Sequence, residues 1–324
     1  MNFLISGCAG FIGYHVALNL CKKYKKSKII GFDSINNYYS PILKKKRIKD
    51  LKKNKNFFFK KIDLNEKGNL NNLFNNNKIE IVLHFAAQAG VRDSLKIPNS
   101  YFKSNFKGFL NIIDLSEKYK VKKFIFASSS SVYGDQKIFP LTEKTKIIPK
   151  NIYSASKKIN EEIAKDISNI SKMKIIGLRF FTVYGNYGRP DMFIFKYLKS
   201  IFLKKSFPLY NKGHNFRDYT HIDDVVKIVD KLIFKGIKKN FEIFNICSGK
   251  PIDIYKLSIL ISKILKKKTN IVFKKRNKIE VLKTHGSNKK VLKLINYSMK
   301  KNIFFELPKI IDWYRKNKIY LLKD

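Results

Sequence analysis

Short apolar segments alternate with helical segments through the first half of the chain, and this alternation limits the possible folds more than any other feature. The apolar segments lie at residues 3–6, 29–32, 57–62, 79–85 and 124–128. Helical patterns separate them, near residues 12–25, 41–53, 67–76 and 101–119. This order is typical of βαβ units, in which buried parallel strands are joined by right-handed helical crossovers. The sequence therefore predicts an α/β fold with a doubly wound parallel sheet.

The second half of the chain is less regular. A helix is expected at 153–169 and a strand at 174–178, and glycines and prolines mark loops after Thr182. A strand at 241–247 is expected to return to the main sheet, and an amphipathic helix at 307–318 to close the chain. We predict two domains, residues 1–181 with the strand return near 241–247, and a smaller C-terminal α/β domain at 182–324.

The charge of the chain is strongly unbalanced. Lys and Arg number 68 against 24 Asp and Glu, a formal net charge of +44. Such an excess ordinarily suggests a nucleic acid or an anionic membrane. Here the lysines are spread along the whole chain, and Asn, Ile and Phe are also abundant, as coding bias would produce. We therefore predict neither a nucleic-acid nor a membrane partner, and expect the charge to attract small anionic ligands.

The cysteines and the N-terminal apolar stretch bear on the compartment. Cys8, Cys21 and Cys247 lack metal-like spacing, which favours a reducing compartment with neither disulfides nor a metal site. Residues 3–20 are apolar but interrupted by glycines and His15, so they do not predict a membrane span. We expect a cytoplasmic enzyme.

A glycine-rich turn follows the first predicted strand. Gly7, Gly10 and Gly13 are spaced three apart and lead into a helix. The spacing allows a tight turn, a close approach of the backbone to a pyrophosphate, and packing of helix on strand. The amides at the helix start, near Phe11 and Ile12, then face the phosphates. This pattern predicts a dinucleotide site.

Acidic residues after the next two strands refine the identity of the dinucleotide. Asp33 ends the second strand, about 20 residues beyond the glycines, where a carboxylate binds the adenosine ribose diol. That favours NAD over NADP. Asp63 and Leu64 follow the third strand and are placed to meet the adenine.

Two further patterns suggest acid–base chemistry. Tyr153 and Lys157 are four residues apart, on one face of a predicted helix. A phenol has a pKa of about 10 and needs nearby cations to act as a base near neutral pH. The serine run at 128–131 ends the fifth strand, where open α/β sheets bind their ligands.

Together these motifs resemble the extended short-chain dehydrogenase/reductase superfamily, in its nucleotide-sugar epimerase/dehydratase branch. The resemblance continues through His84-Phe-Ala-Ala-Gln-Ala-Gly-Val-Arg92, Asn105-Phe-Lys-Gly108, Arg179-Phe-Phe-Thr-Val-Tyr-Gly185, Gly188-Arg-Pro-Asp-Met192 and Arg217-Asp-Tyr-Thr-His-Ile-Asp-Asp224. It implies a Rossmann-type first domain that retains NAD, and a second domain that binds the nucleotide sugar. It also adds cofactor-binding positions to those derived above, namely Ala86, Ala87, Gln88, Asn105, Tyr153 and Lys157.

The serine run separates branches of this family. Dehydratases of nucleotide sugars carry an Asp-Glu pair just before Val-Tyr-Gly, and decarboxylases carry a Glu. This chain has Ser130 and Ser131 there, so the resemblance implies reversible oxidation at the sugar C4, which is epimerisation. Tyr153 would be the base, Lys157 would lower its pKa, and Ser129 or Ser130 would bind the 4-oxygen.

The Ala-Gln-Ala-Gly-Val-Arg and Gly-Arg-Pro-Asp-Met strings are close to those of UDP-glucuronate 4-epimerases, so a UDP-uronic acid is the expected substrate. The resemblance implies a sugar-carboxylate site, a diphosphate site and a uracil contact. The expected substrate-binding residues are Ser130, Ser131, Thr182 and Arg189 for the uronate, Arg217 and Arg276 for the diphosphate, and Tyr210 for the uracil.

Alternatives remain open at this stage. A UDP-glucose or UDP-N-acetylhexosamine 4-epimerase is the nearest one, and an inactive NAD-binding scaffold or a polyanion binder on the same fold are others. We also expect a homodimer, formed by the helices at 101–119 and 153–169 as a four-helix bundle.

Overall fold

The computed structural model describes residues 1–276 and 279–322. The strands are β1 (Asn2–Ser6), β2 (Lys28–Asp33), β3 (Phe57–Lys61), β4 (Ile81–His84), β5 (Lys123–Ser129), β6 (Lys174–Phe180), β7 (Thr182–Tyr184), β8 (Phe207–Tyr210), β9 (Phe216–His221), β10 (Phe241–Ile246), β11 (Pro251–Asp253) and β12 (Ile271–Lys274). The α-helices are α1 (Phe11–Lys23), α2 (Pro41–Leu51), α3 (Lys67–Asn75), α4 (Pro98–Tyr101), α5 (Gly108–Lys118), α6 (Ile152–Ile170), α7 (Phe193–Phe202), α8 (Ile222–Phe234), α9 (Ile254–Leu265), α10 (Lys289–Ile295), α11 (Ile303–Asn317) and α12 (Ile319–Leu322).

Seven parallel strands form the central sheet, in the order β10-β6-β5-β4-β1-β2-β3. Phe3 of β1 pairs with Ile29 of β2 on one side and Ile81 of β4 on the other. Two apolar clusters cover the two faces of the sheet, and Phe3, Leu4 and Ile5 are completely buried. Burial on both faces explains why these strands are continuous apolar runs. The predicted doubly wound fold is confirmed.

The chain order reverses between β1 and β4, because β2 and β3 lie on one side of β1 and the later strands on the other. At such a point two helices leave the sheet on opposite faces, and a crevice opens at the carboxyl ends of the strands. The glycine turn after β1 and the loop after β4 both lie at this crevice.

The smaller part of the molecule contains two small sheets. One has the order β11-β9-β7, and the other pairs β12 with β8. Helices α7, α9 and α11 pack with them around a third apolar cluster. In contrast, α8 and α10 pack on the central sheet with α1, beside β10. The chain therefore crosses between the two parts several times.

Two predicted helices differ from the observed ones in extent. The helix expected at 101–119 corresponds to a helical run at 98–118, whose middle, Phe102–Lys107, has π-type hydrogen bonds. The closing helix expected at 307–318 begins earlier, at Ile303, because Asn302 caps it by accepting a bond from the Phe304 amide. Pro308 lies inside this helix, past its first turn, where it has no amide to donate to the Phe304 carbonyl. No helix in the described part of the chain is long and apolar enough to span a membrane.

Candidate active site

A cleft of about 830 Å³ lies at the carboxyl ends of the central strands and continues between the two parts of the molecule. Nearly all the residues predicted from the sequence line it. They are Gly7, Gly10, Phe11, Ile12, Gly13, Asp33, Asp63, Leu64, Ala86, Ala87, Gln88, Ser129, Ser130, Ser131, Tyr153, Lys157, Thr182, Arg189, Tyr210 and Arg217. Asn105 and Arg276 are the two that do not line it.

The glycine turn has the geometry that its spacing predicts. Gly7 has a φ of +71°, a conformation that favours glycine. A side chain at Gly13 would place its Cβ 2.2 Å from the Gly7 carbonyl oxygen, so only glycine lets the helix pack this closely. Helix α1 starts at Phe11, and its first amides have no partners within the helix. They face the cleft and can bind a pyrophosphate.

Asp33 lies at the end of β2, against the glycine turn. Its carboxylate accepts hydrogen bonds from the amides of Ala9 at 3.1 Å and Ile35 at 2.8 Å. Burial raises its pKa, and these amides and the charge of Lys44 oppose the rise. The carboxylate is thus fixed at the cleft wall, where it can accept from ribose hydroxyls.

Lys44 also lines this end of the cleft, although no sequence motif indicates it. Its ammonium donates to the Asn36 carbonyl and side-chain oxygens at 2.7 and 2.6 Å. Burial lowers its pKa to about 8, against the raising effect of Asp33. In a chain with so many lysines, nothing in the sequence distinguishes this one.

Asn105 acts behind the cleft wall. Its side-chain oxygen accepts from the Gln88 amide at 2.7 Å, and its nitrogen donates to the Gln88 carbonyl and the Ser156 hydroxyl, each at 3.0 Å. It lies in the π-type segment and is almost completely buried. Asn105 therefore joins the loop after β4 to helix α6, and reaches the predicted cofactor site through Gln88.

Helix α6 carries the Tyr153 and Lys157 pair. Asn151 caps the helix by accepting from the Ser154 amide at 2.9 Å, and the Ser154 hydroxyl completes a capping box. This cap fixes the first turn, where Tyr153 lies. One turn later, Lys157 is buried and donates to the Ala127 carbonyl at 2.8 Å. Burial lowers the pKa of Lys157 to about 8, and Glu161 opposes that shift.

Burial raises the pKa of Tyr153, while a hydrogen bond with Ser129 and the charge of Arg189 lower it. Ser129 and Arg189 therefore favour the phenolate in this structure. The role predicted for Lys157 in lowering the same pKa stays a prediction, and its ammonium donates to the Ala127 carbonyl here.

The four serines of the run have different roles. Ser128 donates to Glu161 at 2.5 Å, and both Glu161 oxygens also accept from Arg179, at 2.9 and 2.7 Å. Ser129 faces Tyr153 and accepts from the hydroxyl of Ser131 at 2.9 Å. The nearest buried acid, Glu161, is therefore held by a structural ion pair, and hydroxyls alone face the cleft at this run.

Arg189 lies in the loop after β7 and forms a bidentate ion pair with Asp191. Its Nε donates to Oδ1 at 3.0 Å, and its Nη2 donates to Oδ2. The Tyr38 hydroxyl donates to Asp93 at 2.9 Å and approaches Asp191 at 3.3 Å. The guanidinium predicted to meet a sugar carboxylate is thus in the cleft but already has an anionic partner. Thr182, at the start of β7, lines the same region.

Two arginines and an acid meet at the other end of the cleft. Arg92 binds Glu280 through its Nε and lies over the Tyr210 ring, 4.5 Å from its centroid. The Arg217 Nη2 is 4.0 Å from the same carboxylate. Arg276 instead pairs with Asp135 at 2.8 Å, outside the cleft. Arg217 was predicted from the sequence, whereas Arg92 and Glu280 line the cleft without having been predicted.

Comparisons with known proteins point to one enzyme family. Residues 3–247 match the NAD dependent epimerase/dehydratase family. A UDP-glucuronate 4-epimerase of Thermodesulfobacterium geofontis is 35% identical over 99% of this chain and 98% of its own length. The crystal structure of the Bacillus cereus UDP-glucuronic acid 4-epimerase with UDP-glucuronic acid and NAD has a TM-score of 0.91 and 29% identity, covering 98% of this chain and all of that one. A Thermotoga maritima UDP-glucose 4-epimerase with UDP-glucose has a TM-score of 0.88 and 27% identity, over 98% of this chain and 100% of that one.

The chain belongs to the NAD dependent epimerase/dehydratase family, within the extended short-chain dehydrogenase/reductases. The predicted enzyme class, an isomerase with NAD as its cofactor, is confirmed.

Proposed function

We propose that this enzyme interconverts UDP-glucuronate and UDP-galacturonate by reversible oxidation at C4 of the sugar. The observation that carries the proposal is the grouping of Ser129, Tyr153 and Lys157 at one end of the cleft, beside a serine run without a carboxylate. Without an acid at that run, removal of the C5 proton has no evident base, and exchange of configuration at C4 is the simplest chemistry that remains.

Each side chain has a defined task in this reaction. The Tyr153 phenolate accepts the proton of the sugar 4-hydroxyl, and Ser129 donates a hydrogen bond to the same oxygen. NAD held in the cleft would supply the reversible two-electron oxidation at C4. Lys157 would bind the ribose next to its nicotinamide. Because the sugar must turn between its oxidation and its reduction, most binding energy belongs at the nucleotide end of the cleft.

A uronate imposes a further demand on the site. Its 4-keto form is a β-keto acid, which loses CO₂ when the bond to the carboxylate aligns with the carbonyl π system. Ser130, Ser131 and Thr182 line the cleft and can hold the carboxylate near the ketone plane. Arg189 adds a cation to this region and also favours the Tyr153 phenolate. This combination supports a uronate over a neutral sugar.

A UDP-hexose is the second candidate. The observation that favours it is the pairing of Arg189 with Asp191, which already neutralises the guanidinium. A neutral sugar would leave that pair intact, whereas a uronate must share Arg189 with it.

The deciding experiment is incubation of the NAD-loaded enzyme with UDP-glucuronate and, separately, with UDP-glucose, followed by NMR of the products. We expect UDP-galacturonate to form, and UDP-glucose to turn over at least about tenfold more slowly. A UDP-pentose or a stable 4-ketose would contradict the proposal. Preferential turnover of UDP-glucose would establish the second candidate.

We also propose that the enzyme is a homodimer. The helical run at 98–118 and helix α6 carry exposed apolar side chains, with Phe102 59% and Ile159 42% exposed. Phe102 stacks on Phe106 with their centroids 5.3 Å apart, which extends the apolar surface. Exposed apolar surface on two adjacent helices is suited to a four-helix bundle with a second copy.

A further inference from the structure

Three loops of the cleft meet at the hydroxyl group of Tyr38, which the proposed catalytic steps do not use. Tyr38 lies in the loop after β2 and lines the cleft. Its hydroxyl donates to Asp93, in the loop after β4, at 2.9 Å, and lies 3.3 Å from Asp191, in the loop after β7. A side chain at Gly90, where φ is +104°, would place its Cβ 2.2 Å from the same hydroxyl. The fold of the loop after β4 therefore leaves room for this hydroxyl at a defined place.

One phenol thus faces two carboxylates, and it has a single proton to donate. Burial and the charge of Asp191 raise the pKa of Tyr38, so its hydroxyl stays protonated near neutral pH. The shorter distance, 2.9 Å against 3.3 Å, assigns the proton to Asp93 in this structure. A full hydrogen bond to Asp191 is available only when the hydroxyl turns away from Asp93.

Asp191, in turn, is stabilised as an anion by Arg189. Burial raises the pKa of Asp191, but the charge of Arg189 and its hydrogen bonding lower that pKa overall. The Arg189 Nη2 donates to Oδ2 of Asp191, which is also the oxygen that the Tyr38 hydroxyl approaches. A ligand carboxylate that draws Nη2 away would leave this oxygen without a strong donor. A half-buried carboxylate that loses its donor is costly, unless another donor replaces the lost one.

We propose that Tyr38 is a positioning residue for uronate substrates, whose hydroxyl turns from Asp93 to Asp191 when the sugar carboxylate takes a donor of Arg189. The inference rests on the proposed function, because it takes a sugar carboxylate as the ligand of Arg189. A neutral sugar leaves the Arg189–Asp191 pair intact and does not need the turn. Tyr38 therefore contributes to the choice of sugar through Asp191 and Arg189, and it lowers the cost of sharing Arg189 between two carboxylates.

The test uses the full-length enzyme in saturating NAD. It compares kcat/KM for UDP-glucuronate, followed by NMR of the product, with the Kd of UDP, measured by calorimetry. Tyr38→Phe should lower kcat/KM for UDP-glucuronate by about tenfold, as loss of a hydrogen bond to a charged group does. The Kd of UDP should stay within about twofold, because UDP has no sugar carboxylate. Turnover of UDP-glucose, where it is detected, should also change by less than about twofold.

Tyr24→Phe is the matched control. The Tyr24 hydroxyl donates to the Asp230 carboxylate at 2.9 Å outside the cleft, so the variant removes the same kind of bond at the same length. It should leave kcat/KM for UDP-glucuronate and the Kd of UDP within about twofold of the unmodified enzyme.

A double variant separates this role from general support of the loops. In Asp191→Asn, residue 191 carries no charge that needs a replacement donor. Adding Tyr38→Phe to Asp191→Asn should therefore lower kcat/KM for UDP-glucuronate by less than about twofold further. If Tyr38 only supported the loops, the losses from the two changes would multiply.

Three results would overturn the inference. They are a kcat/KM of Tyr38→Phe within twofold of the unmodified enzyme, an equal loss of UDP affinity, and multiplied losses in the double variant. In each of these cases the unmodified enzyme still epimerises UDP-glucuronate, so the proposed function stands and only the role of Tyr38 fails. If the unmodified enzyme turns over UDP-glucose but not UDP-glucuronate, the proposed function fails and this inference fails with it.

Discussion

Tyr153 is the side chain on which the proposed chemistry depends, and its surroundings have opposite effects on its pKa. Burial favours the neutral phenol, while Ser129 and Arg189 favour the phenolate. Lys157 is buried beside it and bound to the Ala127 carbonyl, with its pKa lowered to about 8. A phenol in such a place can move a proton at C4 only if the loaded cleft stabilises its anion. We therefore expect the Tyr153 hydroxyl to matter for the proposed chemistry more than for folding.

We expect Tyr153→Phe to lower kcat by about 10²–10⁴-fold, the usual contribution of a general base, while NAD remains bound. Turnover is followed by NMR and bound NAD by its absorbance after denaturation. The matched control is Tyr119→Phe, which should keep normal turnover. Tyr119 follows the last residue of α5, and its hydroxyl donates to the Asn71 side chain. Activity of Tyr153→Phe above about a tenth of the unmodified rate would exclude Tyr153 as the base.

Residues with local motifs could be predicted from the sequence, and residues defined by distant partners could not. Gly7, Asp33, Tyr153 and Lys157 follow from spacing within one βα unit or one helix. Arg92 and Glu280 are 188 positions apart, and no local pattern joins them. Arg276 was predicted from a neighbouring string, but its pairing with Asp135, 141 positions away, decides where it lies.

At the level of elements, one buried side chain of helix α2 connects the glycine turn after β1 to the loop after β7 that carries Arg189. Arg47 is completely buried, and its Nη1 donates to the Ala9 carbonyl at 2.7 Å. Its Nη2 donates to the Tyr187 carbonyl at 2.6 Å, two residues before Arg189. The glycine turn and the loop that carries Arg189 are therefore held by the same guanidinium group.

Arg47→Met should lower the free energy of unfolding by about 2–6 kcal/mol, because the Ala9 and Tyr187 carbonyls lose their donor at roughly 1–3 kcal/mol each. We also expect weaker NAD retention, since Ala9 lies within the glycine turn. Urea unfolding followed by circular dichroism measures the first effect, with Arg315→Met as an exposed control expected within about 0.5 kcal/mol of the parent. A loss below about 1 kcal/mol would contradict the role of Arg47 as a clamp between the two loops.

The order and type of the elements were largely predictable. Buried parallel strands appear as short continuous apolar runs, whereas helices repeat apolar residues about every 3.6 positions. The π-type turns at Phe102–Lys107 were not, since they depend on Asn105 bonding to Gln88 and Ser156 in space. Nor did periodicity indicate that α8 and α10 pack on the central sheet, because an amphipathic pattern does not identify its partner.

At the scale of the whole molecule, the positive charge and the exposed apolar side chains are distributed differently. The excess of lysines is spread over the chain, whereas Phe102 and Ile159 lie on neighbouring helices. Helix α6 carries Tyr153 near its start and Ile159 on an exposed side, so the proposed dimer interface and the candidate active site share one element.

The double variant Phe102→Glu/Ile159→Glu should sediment as a monomer under conditions in which the unmodified enzyme sediments as a dimer, because four buried carboxylates would oppose association across a two-fold axis. Ile138→Glu changes an 84% exposed isoleucine elsewhere and should leave the dimer unchanged. A monomeric unmodified enzyme, or a double variant that stays dimeric, would refute the proposed interface.

The position of β10 has a consequence for how such enzymes can evolve. This strand comes from the later half of the chain but lies at the edge of the central sheet, with Phe241 opposite Ile175 and Ile246 opposite Phe180. A hybrid gene that joined the front of this protein to the rear of a relative would have to match that register as well as the cleft. Exchange of whole halves is therefore disfavoured, and new sugar preferences are expected to arise by point substitution rather than by recombination of modules.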